Sequence, residues 1–138
     1  MGRLRPWALL VLLVAGCGRP DAPAGTGARE AALGYYEALV RQDWAGAYDA
    51  LHPDSRRRTS QEQFARLAGQ HRQGLGFEPR EAHVRACEEH GEEAVAHVTL
   101  TGPGKSGQVR YRDAVSLRRG EGGWGVVLPS NFGQAKPR

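Results

Sequence analysis

The chain has 138 residues, of which 40% are hydrophobic, and this length suits one modest domain with its own core rather than several. Its 19 basic and 15 acidic side chains give a net charge of +4, which requires no nucleic-acid partner. Two cysteines in the whole chain exclude a disulfide framework.

The N-terminal stretch is organised like a cleaved secretion signal. Arg3 and Arg5 form a short basic head, and an apolar run follows from Trp7 to Ala15. The run is about half as long as the roughly twenty residues that a membrane-spanning helix needs. It ends in Leu13–Cys17 (LVAGC), which resembles the lipobox of bacterial lipoproteins.

This resemblance implies that residues 1–16 are removed, that Cys17 is acylated, and that the domain is held at the cell envelope. Loss of two arginines would leave 17 basic against 15 acidic residues, a nearly neutral domain. Gly18 stands where many inner-membrane lipoproteins carry aspartate, so the resemblance favours the outer membrane, facing the periplasm, in an organism that has one. The alternatives are an ordinary signal peptide or an uncleaved anchor.

Residues 17–27 are predicted to be the lipidated cysteine and a flexible tether. Three glycines and two prolines fall within residues 18–27, which lack a large apolar side chain. Such a segment buries too little surface to offset the entropy lost on ordering. Cys87 then has no partner in the chain, and we interpret it as a small apolar filler on a strand.

Three helices are predicted at the start of the domain, which we place at residues 28–128. In the first, over residues 28–41, apolar side chains follow the helical period at Ala32, Tyr35, Tyr36, Leu39 and Val40. Asp43 is the predicted N-cap of a short second helix, which ends before Pro53. The third begins at Ser60, where a glutamine three residues later completes a capping-box pattern.

After Gly76 the hydrophobic period changes to two, which is typical of half-buried strands. Four strands are predicted, with inward residues Ala82, Val84 and Ala86, then Ala94 to Leu100, Val109 to Leu117, and Trp124 to Leu128. Gly102-Pro103-Gly104 is predicted to break the chain, and residues 129–138 to form a loose tail with Phe132 as its anchor. Helices followed by strands predict an α+β fold, with three helices packed on a four-stranded antiparallel meander.

Paired tyrosines on the first helix and the segment Asp43–Leu51 (DWAGAYDAL) resemble the opening of nuclear-transport-factor-2-like domains. The Phe64 helix and the closing Trp124–Leu128 strand extend the resemblance over residues 28–128. This superfamily includes ketosteroid isomerase and scytalone dehydratase, so the resemblance implies a curved sheet around a long helix, with a conical pocket between them. It implies no particular chemistry, because the superfamily holds enzymes as well as binding and dimerising modules.

Asp113 is the candidate catalytic residue. It shares the strand phase of Tyr111 and Val115, so an unbroken strand directs it to the apolar side, where a desolvated carboxylate suits a general base. The candidates for a second, hydrogen-bond-donating group are Tyr35, Tyr36, Tyr111 and His97. The alternatives are a bulge that turns Asp113 outward, or an ion pair with Arg110 or Arg112.

Five aromatic residues are candidates for the lining of a pocket: Tyr35, Tyr36, Trp44, Tyr48 and Tyr111. The alternative is that they are core residues. A phosphate loop at residues 102–107 is rejected because Thr99 replaces a required glycine and a strand follows. A metal site at His83, Cys87 and His90 is rejected because strand residues four apart lie about 13 Å apart. We therefore expect no metal and no cofactor.

Two basic runs are predicted to be solvated surface. They are Arg56–Arg58, expected in a loop between helices, and Arg118-Arg119 at a strand end. In a lipid-tethered domain the alternative is contact with anionic head groups, at roughly 1 kcal/mol per basic residue.

The leading hypothesis is a non-catalytic, lipid-anchored envelope domain that binds a small ligand or an envelope protein. The second is an isomerase or dehydratase with Asp113 as general base. A buried Asp113 in a cavity beside a tyrosine or histidine would overturn the leading hypothesis in favour of this enzyme. The third is an accessory module that forms a homodimer through its open sheet face.

The lipid anchor is tested by the Cys17→Ala variant. We expect this variant to leave the membrane fraction, because acyl chains contribute about 0.8 kcal/mol per buried methylene. Globomycin, an inhibitor of lipoprotein signal cleavage, should make the uncleaved precursor of the unaltered protein accumulate on immunoblots. A Cys17→Ala protein that stayed in the membrane fraction to the normal extent would contradict the anchor.

Overall fold

The computed structural model describes residues 25–134, and the signal, Cys17 and residues 135–138 lie outside the described residues. Helices and strands are α1 Ala28–Val40, α2 Trp44–Asp49, α3 Pro53–Arg58, α4 Gln61–Gly74, β1 Glu81–His90, β2 Glu93–Gly104, β3 Gly107–Gly120 and β4 Gly123–Val127. The strands form one antiparallel sheet in the order β1-β2-β3-β4, so the fold is α+β with the predicted meander.

Helix α1 packs across the sheet and contacts all four strands. Its buried side chains follow the predicted apolar stripe and are those of Ala28, Ala32, Tyr35, Tyr36, Ala38 and Leu39. The alanines near its N-terminus let the helix approach the strands closely, whereas the tyrosines and the leucine fill a wider space near its C-terminus. Burying such large side chains contributes about 1.5–3 kcal/mol each.

The caps predicted for the second and third helices are confirmed. Asp43 Oδ1 accepts a hydrogen bond from the Gly46 amide at 3.0 Å at the start of α2. Ser60 Oγ accepts one from the Gln63 amide at 3.1 Å at the start of α4. Each cap satisfies an N-terminal amide that has no partner within its helix.

The described chain has four helices, and the prediction of three missed α3. Pro53 follows the end of α2, but it also occupies the first turn of α3, where a missing N–H is harmless. His52 caps this helix, its Nδ1 accepting from the Asp54 amide at 3.2 Å. Arg56–Arg58 therefore form the last turn of α3, and the expectation of a loop was wrong.

A bulge in β1 reverses the predicted phase of its second half. The register with β2 shifts between Val84 and Ala86, so Arg85 is an extra residue in the ladder. Ala86 is exposed and Cys87, paired with Ala96, faces the helices, opposite to the prediction. Burial raises the pKa of the half-buried Cys87 thiol, which disfavours the reactive thiolate form.

Strand β2 continues through Gly102-Pro103-Gly104, so the predicted break there was wrong. Gly102 pairs with Val109, and the hairpin turns at two residues, Lys105 and Ser106. The incoming chain also runs beside this part of the strand, since the Glu78 amide donates to the Pro103 carbonyl at 3.3 Å. A Cβ atom on Gly102 would lie 1.9 Å from the Glu78 carbonyl oxygen, so only glycine fits.

The residues after α2 form a short parallel bridge with β4. The His52 amide donates to the Val126 carbonyl at 2.8 Å, and the Val126 amide donates to the Ala50 carbonyl at 2.9 Å. This bridge satisfies backbone groups along the outer edge of β4, which an antiparallel meander alone would leave unpaired.

Three residues form what we call the N-terminal clasp: Thr26, Glu89 and Trp124. The Thr26 amide donates to Glu89 Oε1 at 2.9 Å, and the Trp124 indole N–H donates to Thr26 Oγ1 at 2.8 Å. The last residues of the predicted tether are therefore fastened to β1 and β4. Within residues 25–134, no helix has the length and apolar character needed to cross a membrane.

Gly102→Ala tests the close approach of the chain to β2. We expect a loss of about 1–3 kcal/mol in the free energy of unfolding, because the added methyl group forces the backbone apart. Gly69→Ala is the control: a Cβ there meets nothing within 4 Å, and alanine in a helix stabilises by up to about 1 kcal/mol. Urea denaturation measures both, and equal effects of the two variants would contradict the packing described.

Candidate ligand cavity

Asp113 lies on the helix-facing side of β3. The β2–β3 register continues without a shift from Glu93 to Gly104, and Asp113 stands opposite Val98, which is fully buried. The alternative of an outward bulge is therefore wrong. Within the described chain its carboxylate has no ion pair with Arg110 or Arg112.

Two hydrogen bonds hold the Asp113 carboxylate in place. Oδ2 accepts from the Tyr36 hydroxyl at 2.8 Å, and Oδ1 accepts from the Ala114 amide at 2.9 Å. Asp113 itself is half-buried, whereas Tyr36 is 2% exposed. A buried phenol requires an acceptor, so this bond fixes both side chains.

The carboxylate faces a cavity of about 710 Å³. The cavity lies between α1, the end of α4, β3 and the segment after β4, and its walls include Tyr35, Tyr36, His71, Tyr111, Asp113 and Phe132. Pockets for small organic molecules have volumes of about 300–1,000 Å³ and mostly apolar walls with a few polar groups. The size and the lining both suit such a molecule.

Tyr35 and Tyr36 are protonated hydroxyl groups next to this carboxylate. Burial, and then the negative charge of Asp113, raises the pKa of both tyrosines far above the ordinary value. Their rings meet edge to face, with centroids 5.3 Å apart. Within residues 25–134 the Tyr35 hydroxyl has no hydrogen-bond partner, although its side chain is 3% exposed in total.

The charge of the lining is one-sided. Among the described residues that form the walls, Asp113 is the single carboxylate, and lysine and arginine are absent. The other polar groups are the tyrosine hydroxyls, His71 and the side-chain amides of Gln70, Gln73, Asn131 and Gln134. The described walls therefore carry one carboxylate, and no lysine or arginine, among hydroxyl, amide and aromatic side chains.

Three of the predicted site residues lie elsewhere. Trp44 packs against the core outside the cavity, and the Tyr48 hydroxyl lies 2.8 Å from the Thr59 carbonyl oxygen. His97 pairs with Ala114 on the face of the sheet that points away from α1. Of the aromatic candidates, the cavity brings together Tyr35, Tyr36 and Tyr111.

The sequence analysis missed His71. It placed Phe132 in a loose tail as the anchor, and the structure confirms the anchor. The Phe132 ring stacks on Phe64 with centroids 5.7 Å apart and lies 5.1 Å from the His71 ring. His71 follows Phe64 by seven residues, so continuing the α4 stripe by one turn would have found it. Residues 129–134 close one side of the cavity, a tertiary contact without a local sequence signal.

The three residues considered as metal ligands, His83, Cys87 and His90, do not form a cluster. Among residues 25–134, no three His, Cys, Asp or Glu side chains lie close enough together to hold a metal ion. His83 is exposed and its Nε2 lies 3.2 Å from Glu81 Oε2, whereas Cys87 faces the helices. These groups do not converge.

Comparisons with known proteins concern the fold. No protein-family model and no curated protein matches the chain. AclR from Streptomyces galilaeus, described as a "putative hydroxylase", is 16% identical, with a TM-score of 0.52 over 75% of this chain and 76% of AclR. A SEC-C motif containing protein from Psychrobacter arcticus is 11% identical, with a TM-score of 0.51 over 69% of this chain and 55% of that protein.

A second SEC-C motif containing protein, from Rhodopseudomonas palustris, is 14% identical, with a TM-score of 0.49 over 67% of this chain and 69% of that protein. This chain thus spans little more than half of the Psychrobacter protein. At such low identity, AclR and the Psychrobacter protein show a shared fold and nothing about activity.

The raised pKa values of Tyr35 and Tyr36 predict alkaline instability. Above pH of about 10 the unfolded tyrosines ionise while the folded ones keep their protons, so stability falls as pH rises. Each tyrosine should lower the free energy of unfolding by about 1.4 kcal/mol per pH unit there. Urea denaturation at several alkaline pH values measures the slope, and Tyr35→Phe should make it less steep. A flat profile would contradict the burial of both hydroxyl groups.

Proposed function

We propose that this protein binds a small organic molecule in the cavity, with Asp113 as the polar contact, and is held at the cell envelope by lipid on Cys17. The observation that carries the first part is a carboxylate fixed on the wall of a cavity of about 710 Å³ by the buried Tyr36 hydroxyl. A side chain already held in one orientation loses little entropy on binding, which favours affinity.

The anchor and the superfamily belong to the same proposal. The LVAGC segment after an apolar run supports lipidation and, with Gly18, the periplasmic side of an outer membrane. Helices followed by an antiparallel meander, with a cavity between α1 and the sheet, support a nuclear-transport-factor-2-like domain. The resemblance in fold to AclR agrees with it.

A second candidate function is an isomerase or dehydratase, which the Tyr35 hydroxyl favours. This hydroxyl is protonated, has no hydrogen-bond partner among the described residues, and belongs to a side chain that lines the same cavity as Asp113. Asp113 would remove a proton from a carbon beside a carbonyl group, and Tyr35 would donate a hydrogen bond to the enolate oxygen. Asp113 thus lies in a cavity beside tyrosines, as the enzyme hypothesis requires, but it is half-buried rather than buried.

Binding remains the first proposal because of how Asp113 is engaged. Each of its oxygens already accepts one hydrogen bond, and the carboxylate is half-buried rather than fully desolvated. A general base needs a free lone pair aimed at the proton that it abstracts. With one donor already on each oxygen, the Asp113 carboxylate is better suited to a fixed binding contact.

The homodimer has weaker support in the described residues. Val95, at 37% exposure, is the exposed large hydrophobic side chain of that part of the chain. Homodimer interfaces have a more apolar core than the rest of the surface, whereas one exposed valine is ordinary surface.

Cavity binding is tested with a fragment set that contains neutral, cationic and anionic members. We expect some fragments to shift the backbone NMR signals of Gly74 and Ala114, which lie on the cavity, and not that of Gly91 in the β1–β2 turn. Gly74→Trp should weaken binding about tenfold or more, because Gly74 lines the cavity and an indole there would take up part of its volume. Gly69→Trp, on the same helix but outside the lining, is the control. Failure of every fragment to move the cavity signals would overturn the proposal.

An isomerisation assay on the unaltered protein and on Asp113→Asn distinguishes an enzyme from a binding module. A β,γ-unsaturated ketone, 3-cyclohexen-1-one, becomes a conjugated enone when a proton moves, and the product absorbs in the ultraviolet. An enzyme that uses Asp113 as base should lose about a hundredfold or more of this rate in Asp113→Asn. Equal rates in the two proteins would reject Asp113 as base.

A further inference from the structure

We propose that the ligand of the cavity is an organic cation, an ammonium group carried on an aromatic or apolar body. This inference rests on the proposed binding function and names the chemical class that the cavity selects. It is carried by the charge, the hydrogen-bonding groups and the aromatic rings of the walls.

The charge of the described walls disfavours an anion and favours a cation. Asp113 is the one carboxylate in the described lining, and lysine and arginine are absent from it. A ligand carboxylate would therefore meet a like charge in a partly desolvated space whose described walls hold no lysine or arginine. An ammonium group would pair with Asp113 through charge-assisted hydrogen bonds, which are about twice as strong as neutral ones.

The hydrogen-bonding groups beside Asp113 match an ammonium donor. The Tyr36 hydroxyl uses its proton on Asp113 Oδ2, so its oxygen can offer a ligand only lone pairs. The Tyr35 oxygen also has lone pairs and no partner among the described residues. An ammonium group has up to three N–H donors and no acceptor, so it suits a wall of oxygen acceptors.

Aromatic rings line the same cavity as this polar group. Tyr35, Tyr36, Tyr111 and Phe132 all line the cavity together with the His71 ring. The faces of tyrosine and phenylalanine rings attract cations, and they do so more strongly where water is excluded. The same rings provide an apolar surface for the body of the ligand, which a small inorganic cation would leave unused.

The experiment uses three probes with one phenyl ring and different charges: 2-phenylethylamine, 2-phenylethanol and phenylacetate. We expect the amine to bind the unaltered domain at least about tenfold more tightly than the alcohol, and phenylacetate to bind most weakly. NMR titration gives both the affinity and the location, through the signals of Gly74 and Ala114.

Asp113→Asn removes the charge and keeps an oxygen that can accept from the Tyr36 hydroxyl. It should lower the affinity for the amine about tenfold or more, and leave the affinity for the alcohol within about twofold. Asp49→Asn is the matched control, because Asp49 is exposed near the end of α2 and outside the cavity lining. Its affinities should equal those of the unaltered protein.

The outcomes separate this inference from the binding function beneath it. If the alcohol or phenylacetate binds at the cavity as tightly as the amine, the inference of a cationic ligand is wrong and the proposed binding function stands. The same conclusion follows if Asp113→Asn leaves the affinity for the amine unchanged. If none of the probes moves the cavity signals, both are wrong. The comparison of probes uses the unaltered protein, so it tests the preference for a cation even if Asp113→Asn fails to fold.

Discussion

The packing of α1 on the sheet is the constraint on which the rest of the structure depends. This helix contacts all four strands, most extensively β1 and least β3. Ala28 and Ala32 allow close approach at one end, while Tyr35, Tyr36 and Leu39 fill the other end. The cavity opens where the contact with the sheet is weakest, between these large side chains and β3. The distribution of small and large side chains along α1 therefore accounts for both the close packing at one end of the helix and the cavity at the other.

The Tyr36–Asp113 hydrogen bond links stability to the candidate site. A phenol buried to this degree needs an acceptor, and β3 supplies a carboxylate rather than a neutral group. Leaving that hydroxyl unsatisfied would cost about 1–3 kcal/mol, so a structural need alone explains why an acceptor is present. It does not explain why the acceptor is charged and faces open space. The proposed cationic ligand would account for a charge at this place.

Local periodicity predicted those features that depend on one element. The α1 stripe, the caps at Asp43 and Ser60, and the inward phase of Asp113 follow from spacing, because β3 has no bulge. Features that depend on a second segment were missed. The bulge in β1 needs the register of β2, and the path through Gly102 needs the chain at Glu78. The cavity is a space between elements, so its closure by Phe132 leaves no trace in any single stretch of sequence.

The N-terminal clasp decides how the domain is presented to its surroundings. It fastens Thr26 beside the first turn of α1, whereas Tyr36 and Leu39 on the cavity wall lie eight and eleven residues after Ala28. At 1.5 Å per residue, these positions are about 12–17 Å along the helix axis from the point where the chain leaves. A biosensor surface or a fused partner that is attached through the N-terminus is therefore joined to the domain at the end of α1 remote from the cavity. Capture through the N-terminus should therefore leave the mouth of the cavity open to solution.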